Sequence, residues 1–284
     1  MPGNGSPPIV KGVSDLRRAV DGFHSDEHRV ALVPTMGALH AGHMALIEAA
    51  GEACPRTVVS IFVNPTQFSP SEDFAAYPRD DAEDLRKLAV AGVDLVFMPA
   101  AGDMYAADFA TSVNVAGPGA GLESAMRPHF LAGVATVVCK LLLQCLPDIA
   151  VFGEKDYQQL QTVRRMVRDL DIPSEILAVP TVREADGLAC SSRNDYLTPS
   201  QRPVAARLYE ILCQAAGRLK VGGDVIGEIE RAMISLREAG FGGVDYIALC
   251  DGETLEPLSD AREGARLLAA VRLGSTRLID NLAL

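Results

Sequence analysis

The chain has 284 residues, of which 48% are hydrophobic and 22% charged, a composition typical of a folded globular protein rather than a disordered or collagen-like one. It carries 26 Lys and Arg residues against 37 Asp and Glu residues, and the net charge of −11 argues against a broad electropositive surface for nucleic acid. The most apolar stretch, residues 133–146, is interrupted by Lys140 and Gln144, so it falls short of the roughly 18 uninterrupted apolar residues of a membrane span.

The start of the chain, MPGNGSPPIVKG, has no basic segment followed by an apolar one. The sequence therefore predicts a protein without a secretion signal, located in the cytoplasm. The first eight residues are rich in Gly, Pro and Ser and are typical of a loose tail. The six cysteines are scattered, without a CxxC pair or a nearby His, which indicates reduced, mostly buried thiols.

In the first 180 residues, short apolar runs of strand-forming residues alternate with amphipathic stretches, a pattern that predicts a parallel sheet with crossover helices. The predicted strands are 30–33, 57–63, 94–98, 149–152 and 176–179. Two of the intervening helices place apolar residues at three- and four-residue steps, namely Leu85 and Leu88 after an acidic opening, and Leu160, Val163, Val167 and Leu170. A doubly wound α/β domain is expected.

After about residue 183 the pattern changes to helices followed by strands. The predicted helices are 199–220, with Thr198 as N-cap, and 224–239, and the predicted strands are 244–249, 265–271 and 276–279. This order favours a smaller α+β domain. The predicted domains therefore span residues 1–183 and 184–284.

The segment VPTMGALHAGHMALIEAA reads as a buried strand, a turn and a helix that begins near His40 or Ala41. His40 and His43 are three residues apart and face the same side of the first helical turn. Free backbone N–H groups at such a helix start favour an anion, and Gly42 would let a base or phosphate approach the backbone. The alternative is that the two histidines merely cap the helix or pack against it.

A second strand–turn–helix segment, IAVFGEKDYQQL, places Lys155 at the end of another strand, where its charge suits a phosphate. Asp156 suits ribose or magnesium, and Gln159 suits hydrogen bonds to a hydroxy acid. A solvated charged loop is the alternative.

Two further segments carry polar groups toward the same edge of the sheet. DGLACSSRNDYL offers the Ser191 and Ser192 hydroxyls and the Arg193 guanidinium, which suit triphosphate oxygens, although the loop could equally cap the next helix. FVNPTQFSPSEDF places the amides of Asn64 and Gln67 where they could orient a small polar substrate, although Asn-Pro turns are also common structural features.

Together, PTMGALHAGH, NPTQF, FGEKDYQQL and GLACSSRNDYL, in this order and spacing, resemble the pantoate–β-alanine ligase family, also called pantothenate synthetases. The resemblance runs from about residue 30 to residue 197, and the remaining elements fit the family's smaller C-terminal domain. It implies a Rossmann-like N-terminal domain of the nucleotidyltransferase superfamily, with HAGH as its HIGH-like signature, and a homodimer. The implied reaction is ligation of (R)-pantoate and β-alanine through a pantoyl adenylate, with release of AMP and pyrophosphate.

The resemblance also implies roles for particular residues. Mg²⁺-ATP would be contacted by Met36, Gly37, Ala38, Leu39, His40, Ala41, Gly42, His43, Gly153, Glu154, Lys155, Asp156, Val182, Cys190, Ser191, Ser192 and Arg193. Gln67 and Gln159 would bind the pantoate and β-alanine substrates. His43 would be the catalytic proton donor or hydrogen-bond donor, with His40, Lys155 and Arg193 beside it. The magnesium ligands stay open among Asp80, Asp81 and Asp156.

One segment departs from the family pattern. The chain reads Arg127-Pro-His-Phe, with His129 and Phe130 one position earlier than in the family, so Arg127 and His129 are left out of the predicted site. Because an acyl adenylate must be kept from water, the C-terminal domain or the Gly-rich loop 116–121 is expected to act as a lid.

Other functions share this fold. A cytidylyl- or adenylyltransferase would stop at the nucleotidylated product. An aminoacyl-tRNA synthetase would need a tRNA-binding extension, which the acidic chain does not suggest. A non-catalytic nucleotide sensor or scaffold would not need both histidines, Lys155 and Arg193.

Overall fold

The first part of the chain folds around a parallel sheet. In the computed structural model, which describes residues 6–68, 74 and 77–284, the strands of this sheet are β1 (Ile9–Val10), β2 (Val30–Thr35), β3 (Arg56–Ile61), β4 (Leu95–Phe97), β5 (Ile149–Gly153) and β6 (Glu175–Val179). They pair in the order β1-β4-β3-β2-β5-β6, and every pair is parallel. The winding direction reverses between β2 and β5, and ligands of open α/β sheets bind at the carboxyl ends of strands at such a point.

Helices cover both faces of this sheet, because its strands bury side chains on both sides. They are α1 (Val13–Ser25), α2 (Ala41–Ala53), α3 (Asp81–Val90), α4 (Ala101–Met104), α5 (Leu122–Met126), α6 (Phe130–Cys145) and α7 (Tyr157–Asp169). On one face, Leu32 and Val58 are buried among residues of α1, α6 and α7. On the other, Val33 and Val59 are buried among residues of α2 and α3. This alternation follows from the two-residue period of a strand.

The predicted doubly wound α/β domain is confirmed, and its five predicted strands correspond to β2 to β6. The sequence pattern gives no sign of β1, because two residues are too few for a periodicity. The expected loose tail is wrong for Pro7 and Pro8: Pro7 is buried, and the Pro8 carbonyl accepts a hydrogen bond of 2.9 Å from the Val96 N–H. Residues 1–5 lie outside the described residues.

The predicted apolar face of α7 is confirmed except at its end. Leu160, Val163 and Val167 are buried in the core between α7 and the sheet. Leu170 is 52% exposed, because α7 ends at Asp169 and the chain turns before Leu170 can face the core.

The C-terminal part of the chain is a smaller α+β unit, as the sequence predicts. Its elements are α8 (Gln201–Lys220), α9 (Val225–Glu238), β7 (Gly243–Asp251), β8 (Ala265–Leu273) and β9 (Thr276–Ala283). The strands form an antiparallel sheet in chain order, and both helices pack against it. The predicted Thr198 cap is wrong, because Ser200 occupies the N-cap position of α8; the Thr198 hydroxyl oxygen accepts instead from the Gln201 N–H at 3.3 Å.

Buried ion pairs join the two parts of the chain. Arg277 of β9 donates to both carboxylate oxygens of Glu123 in α5 at 2.7 and 2.8 Å, and Glu123 also accepts from the Tyr246 hydroxyl at 2.7 Å. Arg183, between β6 and α8, makes a similar two-point contact of 2.7 and 2.8 Å with Asp280. Removing one partner would leave a buried charge uncompensated, so any movement of the C-terminal unit must keep these ion pairs or replace both partners' contacts.

The Gly-rich loop 116–121 is held by the buried side chain of Gln158. Its Nε2 donates to the carbonyls of Pro118 and Ala120 at 3.0 Å each, and its Oε1 accepts from the Glu123 N–H at 2.9 Å. Opening this loop would break several buried hydrogen bonds at once. The structure therefore does not support the expectation that this loop is a lid.

All six cysteines are free thiols, and four of them are buried. Burial raises the pKa of Cys145 to about 12, which makes its thiol unreactive. Among the described residues, no helix is both long and apolar enough to cross a membrane.

Candidate active site

A cavity of about 210 Å³ opens at the carboxyl ends of β2 and β5, where the strand order reverses. The turns after β2 and β5, the loop after β3 and the segment after β6 all contribute to its lining. A larger cleft of about 610 Å³, between the sheet domain and the C-terminal unit, adjoins it. The residues that line both are Gln67, Arg127, Phe130, Lys155, Asp156, Gln159, Ser191 and Arg193.

The turn after β2 carries two histidines whose rings are fixed by backbone donors. His40 is the N-cap of α2, and its Nδ1 accepts a hydrogen bond of 3.1 Å from the Gly42 N–H. The Nδ1 of His43 accepts from the His40 N–H at 3.3 Å. A neutral imidazole that accepts at Nδ1 carries its proton on Nε2. His40 therefore does cap the helix, and its ring remains part of the cavity lining as an Nε2–H donor, as does that of His43.

Burial keeps both histidines neutral. Loss of solvent lowers the pKa of His40 to about 4, and the positive charge of Lys155 is the second cause. Burial likewise lowers the pKa of His43 to about 3, with the neighbouring His40 as second cause. Near pH 7 the pair therefore donates hydrogen bonds without carrying charge.

A buried carboxylate holds the backbone of the same turn. Asp84 of α3 is 2% exposed, and its oxygens accept from the Ala38 and Leu39 N–H groups at 2.8 Å each. Ala38 has φ +51°, a left-handed conformation that costs a non-glycine residue about 1 kcal/mol. The expectation that free N–H groups of this turn bind phosphate is wrong for residues 37–40 and 42, whose N–H groups already have partners within the chain.

Gly42 is required by the ring of His40. A β-carbon at position 42 would lie 2.9 Å from the Cε1 atom of His40 and would displace that ring. The close approach expected at this glycine is thus made by an imidazole of the same turn.

The loop after β3 is organised by the amide of Asn64, which is 1% exposed. Its Oδ1 accepts from the hydroxyls of Tyr105 and Thr66 at 2.8 and 3.0 Å. Its Nδ2 donates to Gln67 Oε1 and to the Gly133 carbonyl, at 3.2 Å each. Because the donors and acceptors of this amide are taken up within the protein, Asn64 positions Gln67 rather than offering a free group to a substrate.

Gln67 is left with its amide nitrogen for other partners. Its Oε1 is engaged by Asn64, while its Nε2 lies 2.8 Å from Met36 Sδ at the cavity. The backbone beneath this loop is unusually close to α6, since a β-carbon at Gly133 would lie 2.5 Å from the Thr66 carbonyl oxygen. Only glycine at position 133 lets α6 support the loop at this distance.

Arg127 lines the cavity and the cleft, and His129 lines the cleft, although the sequence gives reason to leave both out. The Arg127 Nη2 donates to the Gln67 carbonyl at 3.3 Å, and its guanidinium carbon lies 3.8 Å from the centroid of the Phe130 ring. The one-residue shift in this segment therefore leaves an arginine at the site.

The turn after β5 brings Lys155 and Asp156 to the cavity and is held from the C-terminal unit. Asn281 Nδ2 donates to the carbonyls of Glu154 and Lys155 at 2.9 Å each. Arg266 Nη2 donates to the Glu154 carboxylate at 2.9 Å. The Glu154 side chain thus faces the C-terminal unit, while Lys155 Nζ lies 3.7 Å from Asp156 Oδ2.

The segment after β6 completes the cavity. The Cys190 N–H donates to the Val182 carbonyl at 2.9 Å, which pairs two residues of the predicted ATP site. The Ser191 hydroxyl oxygen accepts from the Arg193 N–H at 3.3 Å and starts a short 3₁₀ turn. This turn brings Ser192 and Arg193 to the cavity.

The structure thus brings together most of the predicted site residues. The cavity lining includes Met36, His40, Gly42, His43, Gln67, Gly153, Lys155, Asp156, Gln159, Val182, Cys190, Ser191, Ser192 and Arg193. Among the described residues, the lining does not include Gly37, Ala38, Leu39, Ala41 or Glu154. Sequence reasoning misses Asp84, Tyr105 and Gly133, because each acts through a contact with a segment distant in sequence.

Comparison with known proteins gives a consistent picture. Residues 8–283 match the model of the Pantoate-beta-alanine ligase family. The chain is 55% identical over 278 residues to the pantothenate synthetase of Mesorhizobium japonicum, which covers 97% of both chains. It superposes on the crystal structure of pantothenate synthetase from Thermus thermophilus with a TM-score of 0.91 and 49% identity, covering 97% of this chain and 99% of that chain.

A further solved relative was crystallised with ligands. The pantoate-beta-alanine ligase from Francisella tularensis, complexed with beta-gamma ATP and beta-alanine, aligns with a TM-score of 0.82 and 32% identity over 98% of each chain. These matches extend over both the sheet domain and the C-terminal unit. They favour the ligase over the nucleotidyltransferase, the aminoacyl-tRNA synthetase and the non-catalytic sensor that share this fold. The resemblance read from four motifs is confirmed: the chain belongs to the pantoate–β-alanine ligase family and is an enzyme of ATP-dependent pantoate–β-alanine ligation.

Proposed function

We propose that the chain joins (R)-pantoate and β-alanine through a pantoyl adenylate. In the first step a pantoate carboxylate oxygen forms a bond to the α-phosphorus of ATP, the bond to the bridging oxygen breaks, and pyrophosphate leaves. In the second step the neutral amine of β-alanine forms a bond to the acyl carbon, the carbon–oxygen bond to phosphate breaks, and AMP leaves while the amine loses a proton to solvent. The supporting observation is that both histidines, Lys155 and Arg193 line one cavity with Gln67 and Gln159.

In this proposal the histidines act as neutral donors. Negative charge builds on the equatorial oxygens of the α-phosphate as the carboxylate adds, and on the bridging oxygen as pyrophosphate departs, and preorganised N–H donors stabilise that charge. The Nε2–H groups of His43 and His40 suit this role, since their Nδ1 atoms accept backbone hydrogen bonds. Their low pKa values favour the hydrogen-bond role over proton donation by an imidazolium.

Lys155 and Arg193 neutralise the triphosphate, assisted by the hydroxyls of Ser191 and Ser192. The other lining residues that we assign to ATP are Met36, Gly42, Gly153, Asp156, Val182 and Cys190. The remaining predicted ATP residues, Gly37, Ala38, Leu39, Ala41 and Glu154, support this lining from behind. Gln67 and Gln159 hold pantoate through their amides.

Mg²⁺ accompanies ATP as its counterion in this proposal. No group of three His, Cys, Asp or Glu side chains suited to a metal occurs within the described part of the chain. Mg²⁺ usually keeps waters and takes one or two carboxylates plus substrate phosphates, so the chemistry fits ATP oxygens together with Asp156. Asp80 is a weaker candidate, because its carboxylate accepts from the Glu83 N–H at 3.0 Å as a helix cap.

We further propose two domains, residues 1–183 and 184–284, with the C-terminal one closing over the adenylate. The cleft of about 610 Å³ between them supports this role. We also propose a homodimer, which the family resemblance implies, and a cytoplasmic location, which the sequence predicts.

The test is ATP–pyrophosphate exchange with labelled pyrophosphate, Mg²⁺ and (R)-pantoate, with β-alanine omitted. Reversible adenylate formation gives pantoate-dependent exchange without the amine, and adding β-alanine converts it to AMP release. Absence of exchange from protein that still makes pantothenate when all three substrates are present would overturn the adenylate route. D-alanine in place of β-alanine is the control for amine specificity.

A further inference from the structure

Tyr105 lies outside the cavity, yet its hydroxyl reaches the amide that organises the loop after β3. The hydroxyl lies 2.8 Å from Asn64 Oδ1 and 3.4 Å from Thr66 Oγ1. Its ring is packed between Phe62 and Phe109, with centroid separations of 6.3 and 5.1 Å. Burial raises the pKa of Tyr105, so the hydroxyl keeps its proton and donates to Asn64.

This donation, together with that of the Thr66 N–H to Oδ1 at 3.3 Å, fixes the direction of the Asn64 amide. With Oδ1 facing Tyr105, Nδ2 faces Gln67 and the Gly133 carbonyl, and a carbonyl can only accept. A reversed amide would oppose two oxygen atoms at Gly133 and would turn its NH₂ group toward the Thr66 N–H, which can only donate. Gln67 therefore accepts from Asn64 with its oxygen and keeps its nitrogen toward Met36 and the cavity.

We propose that Tyr105 is a positioning residue for the acid substrate: it acts through Asn64 to hold Gln67 so that Gln67 Nε2 donates to an oxygen of pantoate. This inference rests on the proposed role of Gln67 as a pantoate ligand. The histidine turn and the segment after β6, which we assign to ATP, are fixed by separate hydrogen bonds. The effect of Tyr105 should therefore fall on pantoate rather than on ATP.

The first variant is Tyr105→Phe, which keeps the ring and removes only the hydroxyl. In the exchange assay we expect the KM for pantoate to rise about five- to tenfold, as for the loss of one buried hydrogen bond, and the KM for ATP to stay within about twofold. The matched control is Ser174→Ala, which removes a buried hydroxyl that donates to the Pro147 carbonyl at 2.7 Å, and which should leave both KM values unchanged. An equal rise in both KM values for Tyr105→Phe would assign Tyr105 a general structural role and overturn the proposal.

A double-mutant cycle tests the route through Gln67. We expect Gln67→Ala to lower kcat/KM for pantoate, and Tyr105→Phe to have no further effect in that background. If Gln67→Ala lowers kcat/KM but the two effects multiply, Tyr105 does not act through Gln67, and this inference alone fails. If Gln67→Ala leaves the pantoate dependence unchanged, the assignment of Gln67 fails and the inference fails with it. Enzyme concentrations raised for the slow variants keep low exchange rates measurable.

Discussion

The two neighbouring strands β2 and β3 end in turns that are held by opposite means. The turn after β2 is held by charge, because the Asp84 carboxylate takes up two backbone N–H groups of a strained segment. The loop after β3 is held by neutral groups, because the Asn64 amide links Tyr105, Gln67 and the start of α6. One half of the site therefore depends on a buried charge and the other on the direction of an amide. Substitutions in the two halves should affect different substrates.

The largest expected effect is on kcat and concerns a histidine of the turn after β2. We expect His43→Ala to lower kcat about 10²- to 10³-fold, the usual cost of removing one preorganised donor to a developing charge. Steady-state kinetics at saturating ATP and pantoate measures this. The control is His24→Ala on α1, where the imidazole is 38% exposed and bonds Asp148 at 3.3 Å. A kcat within about threefold of the parent would remove His43 from the chemistry.

The contact between the Asp84 carboxylate and the turn after β2 is tested by Asp84→Asn. An amide places an NH₂ group against one of the two backbone donors, so one hydrogen bond is lost and two donors oppose each other. We expect the free energy of unfolding to fall by about 1–3 kcal/mol, and the KM for ATP to rise about tenfold with a smaller change for pantoate. Denaturant unfolding and the two KM values are the measurements. Asp21→Asn, at an exposed position on α1, is the control; a stronger effect on pantoate than on ATP would contradict the division of the site.

The loop after β3, which neutral groups hold, is tested by Gly133→Ala. The added β-carbon would lie 2.5 Å from the Thr66 carbonyl oxygen, so the loop that carries Gln67 must shift. We expect the KM for pantoate to rise about fivefold with the KM for ATP changed less than about twofold, and a loss of stability of about 1–3 kcal/mol from overpacking. Gly217→Ala on α8 is the control, because a β-carbon there meets nothing within 4 Å and should leave both KM values unchanged. Unchanged pantoate kinetics in Gly133→Ala would show that the loop tolerates displacement.

The smallest effect near neutral pH is on stability. An unfolded histidine has a pKa of about 6.5, whereas burial lowers the pKa of His40 to about 4 and that of His43 to about 3. Below about pH 6.5 the unfolded chain binds protons that these folded residues do not bind, so their contribution to stability is complete above that pH and is lost progressively as the pH falls toward 4. The free energy of unfolding, measured between pH 8 and about pH 4.5, should fall less steeply with decreasing pH in a His40→Asn/His43→Asn double variant than in the parent. Ser174→Ala, which removes no titratable group, should keep the parent slope, and an equal slope in all three proteins would contradict the burial of the pair.

The sequence predicts the location of the site well, because topology determines it. Short apolar runs of strand-forming residues followed by polar turns predict parallel strands, and parallel strands bring their carboxyl ends to one edge. The histidine turn, the Lys155 turn and the segment 190–193 then meet there. Short elements and helix ends are less predictable: β1 has two residues, and Thr198 has the chemistry of a cap two residues before the actual cap.

The supports behind the site could not be predicted from local pattern. Asp84 belongs to an acidic run that is typical of a helix start, a role that Asp80 does fill, and nothing local shows that Asp84 alone turns inward. Tyr105 and Gly133 meet Asn64 across 41 and 69 residues of sequence. Such contacts depend on the packing of α4 and α6 against the sheet, which a single sequence does not encode in any short motif.

The attachment of Lys155 to the C-terminal unit has a mechanical consequence. Asn281 and Arg266 bind the Glu154–Lys155 turn directly, so a displacement of the C-terminal sheet is transmitted to the backbone that carries the lysine. Closure of that unit and placement of the positive charge would then be one movement rather than two. For the same reason, the C-terminal unit cannot be exchanged independently of the sheet domain. In a chimera between two relatives, Asn281, Arg266 and the Glu154–Lys155 turn must come from the same parent protein.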